Sequence, residues 1–270
     1  MNAVPTDPLL RIAELPEVAQ AVDETRGLVD MLIGQRVLRR RGSDVSMEAA
    51  LRGARASAVL EGADITLEQM RSGESEDPRV KGSLRVSGEL GLLVETWSRA
   101  PRQVLARLHV LAAADAVGPA ALGRPRHDGE EVTDPLGLGA PPSAAEVTAR
   151  LSALSALLAA RTEAPALVVG AVVHGELLAL RPFGWGDGIV ARAAERLTLL
   201  ERGLDPNSLV PTQLGHEQRS AEYVSALRGY LTGTPEGVAG WVVHCARAVM
   251  DGARDSLATC EAIRRATTRS

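Results

Sequence analysis

Apolar residues recur along this chain at the spacing of one face of a helix. The first run places them at Val18, Val22, Leu28, Leu32 and Val37, which is close to the 3.6-residue period of an amphipathic helix. No segment longer than a hairpin strand alternates apolar and polar residues. The pattern predicts long helices at 16–41, 46–61, 84–99, 102–117, 143–161, 165–180, 190–203, 216–231 and 235–265. The sequence therefore predicts an all-α protein.

Glycines and capping residues predict several of the helix boundaries. Gly42 follows the first apolar run and predicts its end, and Gly62 stands where the second helix needs a left-handed residue. Thr66 and Gln69 have the spacing of a capping box, so a short helix is expected there. The polar, turn-rich residues 70–83 are expected to form a surface loop.

Two further segments differ from the rest of the chain. Residues 118–142 are dense in Gly and Pro, and they are too numerous for an ordinary connection. Long loops of this kind tend to be functional or disordered. Residues 165–180 are apolar on nearly every side, so this segment is predicted to be the central buried helix.

Composition restricts the class of protein further. The 270 residues are 45% apolar and 24% charged, as in soluble globular proteins, and 2% aromatic, so the core must be aliphatic. The net charge of −4 argues against broad binding of nucleic acid. There is no signal peptide and no apolar run of membrane-spanning length. We expect a reduced, cytoplasmic protein that does not contact a membrane.

The cysteines and histidines do not predict a metal site. Cys245 and Cys260 are 15 positions apart with no CxxC pair, so both are expected to be small buried residues. His174 lies in the apolar segment and is expected to be a core residue. The other histidines considered lack an acidic or cysteine partner at metal-ligand spacing, and they are His109, His216 and His244.

The stretch LRPFGWGDGIVAR at 180–192 contains three glycines, one of three Trp residues and the only Phe of the chain. Gly186 and Gly188 allow backbone N–H groups at a helix start to point toward one anion. The alternative is that the glycines only turn a corner between two helices. On either interpretation, Phe183 is expected to anchor the turn to the core.

This stretch resembles the signature of the Fic (Fido-fold) family. Active members carry His-Pro-Phe-x-(Asp or Glu)-Gly-Asn-Gly-Arg-x-x-Arg between two buried helices. The chain reads RPFGWGDGIVAR, so that five positions match, namely Pro182, Phe183, Gly186, Gly188 and Arg192. The resemblance extends over roughly residues 45–250. It implies a Fic-like core domain at 81–270 whose flap is 118–142, preceded by an N-terminal helical region at 1–80.

A second motif resembles the inhibitory helix of some Fic proteins, (Ser or Thr)-x-x-x-Glu-(Gly or Asn). The sequence SAVLEG supplies Ser57, Glu61 and Gly62. In inhibited relatives this Glu pairs with the second Arg of the signature, which otherwise holds the γ-phosphate. The resemblance therefore implies a pair between Glu61 and Arg192. The alternative is that Glu61 is simply solvated at a helix end.

The departures from the signature fall on its catalytic positions. Arg181 replaces the catalytic His, and an Arg stays protonated, so that it cannot act as a general base. Trp185 replaces the acidic residue that holds Mg²⁺ and offers no oxygen ligand. Asp187 replaces Asn, and Ile189 replaces the first Arg. The resemblance then implies that ordinary AMP transfer is lost and that no metal or cofactor is needed.

Two functions follow from these residues. The first is a non-catalytic Fic-like protein that binds a protein partner, through the 118–142 flap, or an anionic ligand. The second is a transferase of altered chemistry, in which Arg181 and Asp187 take new roles and Glu61 restrains the site. That enzyme would use ATP and Mg²⁺ for nucleotidyl or phosphoryl-type transfer to a protein hydroxyl.

Overall fold

A computed structural model describes residues 7–160 and 162–269, and in these residues all regular structure is helical. The helices are α1 Pro8–Ala13, α2 Pro16–Ile33, α3 Leu38–Leu60, α4 Leu67–Ser72, α5 Pro78–Trp97, α6 Pro101–Ala113, α7 Ala144–Ala159, α8 Ala166–Leu180, α9 Asp187–Glu201, α10 Thr212–Gln218, α11 Ser220–Leu231 and α12 Pro235–Arg269. The all-α prediction is confirmed.

Side-chain caps begin several of these helices. The capping box of α4 is complete, because Thr66 accepts the N–H of Gln69 and the Gln69 side chain accepts the N–H of Thr66. The Asp77 carboxylate accepts the N–H of Arg79 at the start of α5. Ser143 caps α7 in the same way. These short-range polar contacts fix where the chain enters each helix.

The predicted break between the first two long helices is wrong. The helix expected at 16–41 ends at Ile33, and α3 begins at Leu38 and continues through Gly42. Gly42 adopts no left-handed conformation, and α3 bends one residue earlier, at Arg41, where φ is −128°. Apolar residues keep a helical spacing across the short turn between α2 and α3, so periodicity did not reveal it.

Other boundaries also differ from the predictions: α6 ends at Ala113 rather than at 117, α9 begins at Asp187 rather than at 190, and α12 continues to Arg269 rather than 265. The helix expected at 216–231 is two helices, which meet at Arg219 (φ −112°, ψ 32°). Residues 78–83 of the expected loop belong to α5, because Pro78 suits a first helical position after the Asp77 cap. The helix α7 ends at Ala159, and its predicted end, Arg161, lies outside the described residues.

Helix α8 lies at the centre of the fold, as predicted. All of its residues except Glu176 are buried. It packs most extensively against α9, and Gly170 lets the two helices approach, since a Cβ there would lie 3.2 Å from Leu199. Helix α12 covers another side, where the Trp241 indole donates a hydrogen bond of 2.7 Å to the carbonyl of Ala171. The turn between α8 and α9 is thereby held on two buried helices.

The N-terminal helices pack around this centre. Helix α2 lies along α12, and α3 contacts α5, α9 and α10. The end of α3, which carries Ser57 and Glu61, is therefore placed beside α9. None of the described helices combines the length and the hydropathy needed to span a bilayer.

Glycine at position 82 sets the distance between α5 and α6. A Cβ at Gly82 would lie 2.1 Å from the backbone oxygen of Ala112, whereas one at Gly88, on an exposed face of the same helix, would meet nothing within 4 Å. Gly82→Ala should lower the free energy of unfolding by about 1–3 kcal/mol through overpacking. Gly88→Ala should raise it by about 0.5–1 kcal/mol. Denaturant unfolding measures both, and equal effects of the two variants would contradict this packing.

Candidate functional site

The turn between α8 and α9 has an unusual backbone. Arg181 ends α8 in the left-handed region, at φ 43° and ψ 61°, and Gly184 and Gly186 also have positive φ. A Cβ at Gly184 would lie 2.7 Å from the backbone oxygen of Glu131. The glycine is therefore required both by its conformation and by the close approach of the 118–142 segment.

Asp187 closes this turn from the inside. Its Oδ1 accepts the N–H of Phe183 at 2.9 Å, and its Oδ2 accepts the N–H of Gly184 at 2.8 Å. Burial raises the pKa of Asp187 to about 7, although both N–H bonds favour the ionised form. Glu61 acts in the direction of burial and Arg126 in the opposite direction. Two N–H groups of the turn thus already have an internal carboxylate as their acceptor.

Phe183 is buried and lies against a histidine. Its ring stacks on that of His109 with centroids 4.3 Å apart and planes 9° from parallel. The Nδ1 atom of His109 accepts the N–H of Gly123 at 2.9 Å. Burial lowers the pKa of His109 to about 4, so the stacked ring is neutral near pH 7. Phe183 therefore connects the turn to α6 and to the start of the 118–142 segment.

The structure brings Glu61 and Arg192 together. Arg192 donates from NH2 to Glu61 Oε1 at 2.7 Å, and the side chains of Arg192 and Glu61 are 1% and 6% exposed. Arg192 also donates from Nε to the hydroxyl of Ser57 and from NH2 to its carbonyl, both at 3.0 Å. These three hydrogen bonds all go to the end of α3. Two residues of the SAVLEG motif thus contact it directly.

Two glycines make room for this ion pair. Gly62 has φ of +91°, which reverses the chain after α3. A Cβ at Gly188 would lie 2.0 Å from Oε1 of Glu61 and 2.8 Å from NH1 of Arg192. Gly188 therefore serves here to admit the Glu61 carboxylate to the start of α9.

Arg181 contacts the 118–142 segment. It donates from NH1 to the carbonyl of Gly139 at 2.8 Å, and NH1 lies 3.6 Å from Oδ1 of Asp134. Its own carbonyl accepts a 3.0 Å hydrogen bond from Nε of Arg126. Burial lowers the pKa of Arg181, and Asp134 acts in the opposite direction. Arg181, which the resemblance aligns with a catalytic His, thus holds the 118–142 segment.

Backbone hydrogen bonds attach the same segment to the turn. The N–H of Arg126 binds the carbonyl of Pro182 at 2.8 Å, and the N–H of Thr133 binds that of Gly184 at 2.7 Å. The Asp134 carboxylate in turn accepts N–H groups of Leu138 and Gly139. The flap is therefore attached to the turn by backbone contacts at Arg126 and Thr133, within the segment.

A cleft of about 670 Å³ opens beside Trp185. Acidic side chains dominate its charged lining, which consists of Glu61, Glu76, Asp77, Arg79 and Asp134. All four carboxylates are within 4 Å of a cation: Glu61 with Arg192, Asp77 with Arg79, Glu76 with Lys81, and Asp134 with Arg181. The cleft therefore places carboxylates beside Trp185 and Gly186 of the turn.

His174 and Cys245 are buried, as predicted, and the structure places beside them a carboxylate that sequence spacing did not indicate. The Glu195 carboxylate lies 3.0 Å from Nδ1 of His174 and 2.9 Å from Nε2 of His216, and Cys245 is beside it. His244 follows, with Nε2 3.0 Å from Nδ1 of His216. These residues come from different helices, so sequence spacing could not show the partners. One signal was available, because Glu195 lies three positions after Arg192 on a mostly apolar helix.

Comparison with known proteins identifies the fold. No family model matches the sequence, and no curated protein matches it. Among solved structures, a Fic family protein from Desulfovibrio desulfuricans G20 is 21% identical, with a TM-score of 0.72 over 88% of this chain and 74% of that chain. Fic-1 from C. elegans is 19% identical, with a TM-score of 0.65 over 89% and 73% of the two chains.

A third solved structure agrees with these two. A Fic domain containing signaling protein from Bacteroides thetaiotaomicron VPI-5482 is 14% identical, with a TM-score of 0.67, and the match covers 90% of this chain and 97% of that chain. At such identities the likeness concerns the fold and not the chemistry. The chain therefore has the helical fold of Fic proteins, as the resemblance implied.

A double-mutant cycle tests the buried pair. Glu61→Ala leaves the Arg192 guanidinium without its carboxylate, so the free energy of unfolding should fall by about 3–5 kcal/mol. Arg192→Ala should cost a similar amount. The double variant should cost less than the sum, because neither charge is then left alone. Additive losses in denaturant unfolding would mean that the two side chains do not interact.

Asp187 should give the protein a measurable pH dependence. Its folded pKa of about 7 exceeds the ordinary value of 3.8, so the folded state holds the proton more tightly than the unfolded state. The stabilisation is complete below about pH 4 and is lost as the pH rises through about 7. Relative to Asp187→Asn, the wild type should therefore lose stability between those values in denaturant unfolding. A constant difference would show that Asp187 titrates alike in both states.

Proposed function

We propose that this chain is a Fic-fold protein that does not transfer AMP and that acts by binding a protein partner. One observation carries the proposal: two N–H groups of the turn and the Arg192 guanidinium are already bound within the chain. The N–H groups of Phe183 and Gly184 bind Asp187, and Arg192 binds Glu61. A nucleotide would have to displace two carboxylates to reach these donors.

The residues around the turn also offer no general base. Arg181 cannot accept a proton at neutral pH, and its guanidinium is engaged with Gly139. Asp187 directly follows the turn, but it is buried and both of its oxygens accept backbone N–H groups. Loss of a general base costs about 10²–10⁴-fold in rate. Trp185 adds a second loss, because an indole provides no oxygen for Mg²⁺.

The cleft favours a protein partner over a small anion. Each carboxylate of its lining already pairs with a cation of the chain, so a phosphate would have to compete with the carboxylates for those cations, whereas basic side chains of a protein would bind the carboxylates. Trp185 is partly exposed at the edge of this cleft, and Trp is enriched at protein interfaces. The adjacent flap at 118–142 is held in place by the turn. We therefore place the partner across the cleft and the flap.

One observation favours the second function, a restrained transferase. The Glu61–Arg192 pair has the arrangement that the resemblance implies for an inhibited enzyme, with Ser57 completing it. If Glu61 restrains a live site, removing its carboxylate should free Arg192 for a phosphate. The active form would then modify a protein hydroxyl with a group from ATP or another nucleotide.

The two functions predict different results for Glu61→Gly. The wild type and this variant are incubated with Mg²⁺ and ATP, CDP-choline or NAD, and intact-protein mass spectrometry then follows modification. We expect no covalent adduct on the protein or on a lysate target, and calorimetry should show no micromolar Mg²⁺-dependent affinity for ATP. An adduct that appears with Glu61→Gly and disappears when Arg192→Ala is added would instead establish the restrained transferase.

A further inference from the structure

We infer that His174, Glu195, His216 and Cys245 form a binding site for a divalent transition-metal ion, with Zn²⁺ the ion that this ligand set fits best. The four residues come from α8, α9, α10 and α12. Each offers one ligand atom, and these atoms all lie within 4.8 Å of one another. Residues so far apart in the chain meet only in the folded protein.

The site is fully enclosed, and its polar atoms are incompletely hydrogen-bonded. The four side chains are buried, with the Glu195 side chain 1% exposed. Among the described residues, Nδ1 of His174 and Oε1 of Glu195 have no hydrogen bond of normal alignment. The nearest partner of His174 Nδ1 is Oε2 of Glu195, at 3.0 Å. Buried polar atoms without well-aligned partners are costly, and an ion bound among the four ligand atoms would satisfy them.

The donor atoms define the class of ion. Two imidazole nitrogens, one thiolate sulfur and one carboxylate oxygen are ligands that Zn²⁺ accepts in a four-coordinate site. A thiolate selects against Mg²⁺ and Ca²⁺, which take oxygen ligands. The charges of Glu195 and of the Cys245 thiolate balance that of a divalent cation. The metal would thus leave a neutral cluster in place of a buried carboxylate.

The proton balance of binding is simple. The metal–sulfur bond forms as the Cys245 thiol releases one proton to solvent. His174 binds through Nδ1 and His216 through Nε2, so each imidazole keeps its proton on the other nitrogen. Glu195 binds as a carboxylate, the form in which its oxygen is a ligand. One proton is therefore released for each ion bound.

In each of the two histidines, the ring nitrogen that would not bind the metal has a polar partner of its own. His174 Nε2 lies 2.9 Å from the hydroxyl of Tyr223, and His216 Nδ1 lies 3.0 Å from Nε2 of His244. Such second contacts fix the tautomer and orientation of a ligating imidazole. The Trp241 indole packs beside His174 and donates its N–H elsewhere, to Ala171. Four protein ligands and no open position define a structural site.

A metal-free network of the same residues is the competing arrangement. In it, the two imidazoles would donate protons to Glu195, and Cys245 would stay a thiol. Co²⁺ distinguishes the two, because it replaces Zn²⁺ in such sites and a bound thiolate gives an intense charge-transfer band in the near ultraviolet. Cys260 is the only other cysteine, lies on the same helix and is outside the cluster. Cys260→Ser is therefore the matched control for Cys245→Ser.

The experiment uses the full chain without a histidine tag, and it combines metal analysis, Co²⁺ spectra and melting curves. We expect one ion per chain, a thiolate–Co²⁺ band and a higher melting temperature with Zn²⁺ than with a chelator. The band should persist in Cys260→Ser, where only Cys245 can produce it. Cys245→Ser should abolish the band and weaken binding by about 100-fold or more, since loss of even an outer contact costs about 10–100-fold.

Several results would overturn the site. Absence of the thiolate–Co²⁺ band in folded Cys260→Ser would exclude Cys245 as a ligand, and this result does not depend on whether Cys245→Ser folds. Binding that is equal in the two cysteine variants would place the metal elsewhere. A melting temperature that is unchanged by Zn²⁺, with no ion retained, would leave the metal-free network as the correct description.

Discussion

A buried guanidinium must be paired, and the arrangement of α3 against α9 depends on this constraint. Arg192 is 1% exposed, and it donates hydrogen bonds to the side chain of Glu61 and to both oxygens of Ser57, with the hydroxyl of Tyr223 as a further partner. The end of α3 must therefore stay beside the start of α9, although the two lie more than a hundred residues apart in sequence. Gly188 supplies the space, because any Cβ there would overlap the Glu61 carboxylate. A short side-chain contact thus fixes a long-range packing arrangement.

The turn between α8 and α9 is likewise held by internal partners. Asp187 accepts two of its N–H groups. Arg181, which the resemblance aligns with the catalytic His of Fic proteins, donates to the carbonyl of Gly139. Trp185 borders the cleft beside this turn. Contacts inside the protein therefore fix the conformation of the turn.

The parts of this structure that could be predicted are those determined by local sequence. The apolar segment that became α8 and the Thr66–Gln69 capping box needed only neighbouring residues. The turn between α2 and α3 was missed because apolar residues keep their helical spacing across it. The Glu61–Arg192 pair was predicted only through the family resemblance. The partners of Glu195 were missed altogether, since His174 and His216 are each about twenty residues away on other helices, where neither spacing nor resemblance pointed to them.

Helix α9 connects these observations. It carries three buried charges within about one turn, Arg192, Glu195 and Arg196, and each needs partners from another element. Arg192 has the end of α3, Glu195 has histidines of α8 and α10, and Arg196 donates to Ser208. A core between helices that contained only Ala and Leu side chains would allow the helices to pack in several ways. Buried charges each need a particular partner and so allow few packing arrangements. We infer that the polar contacts of α9 give a largely aliphatic core its specific packing.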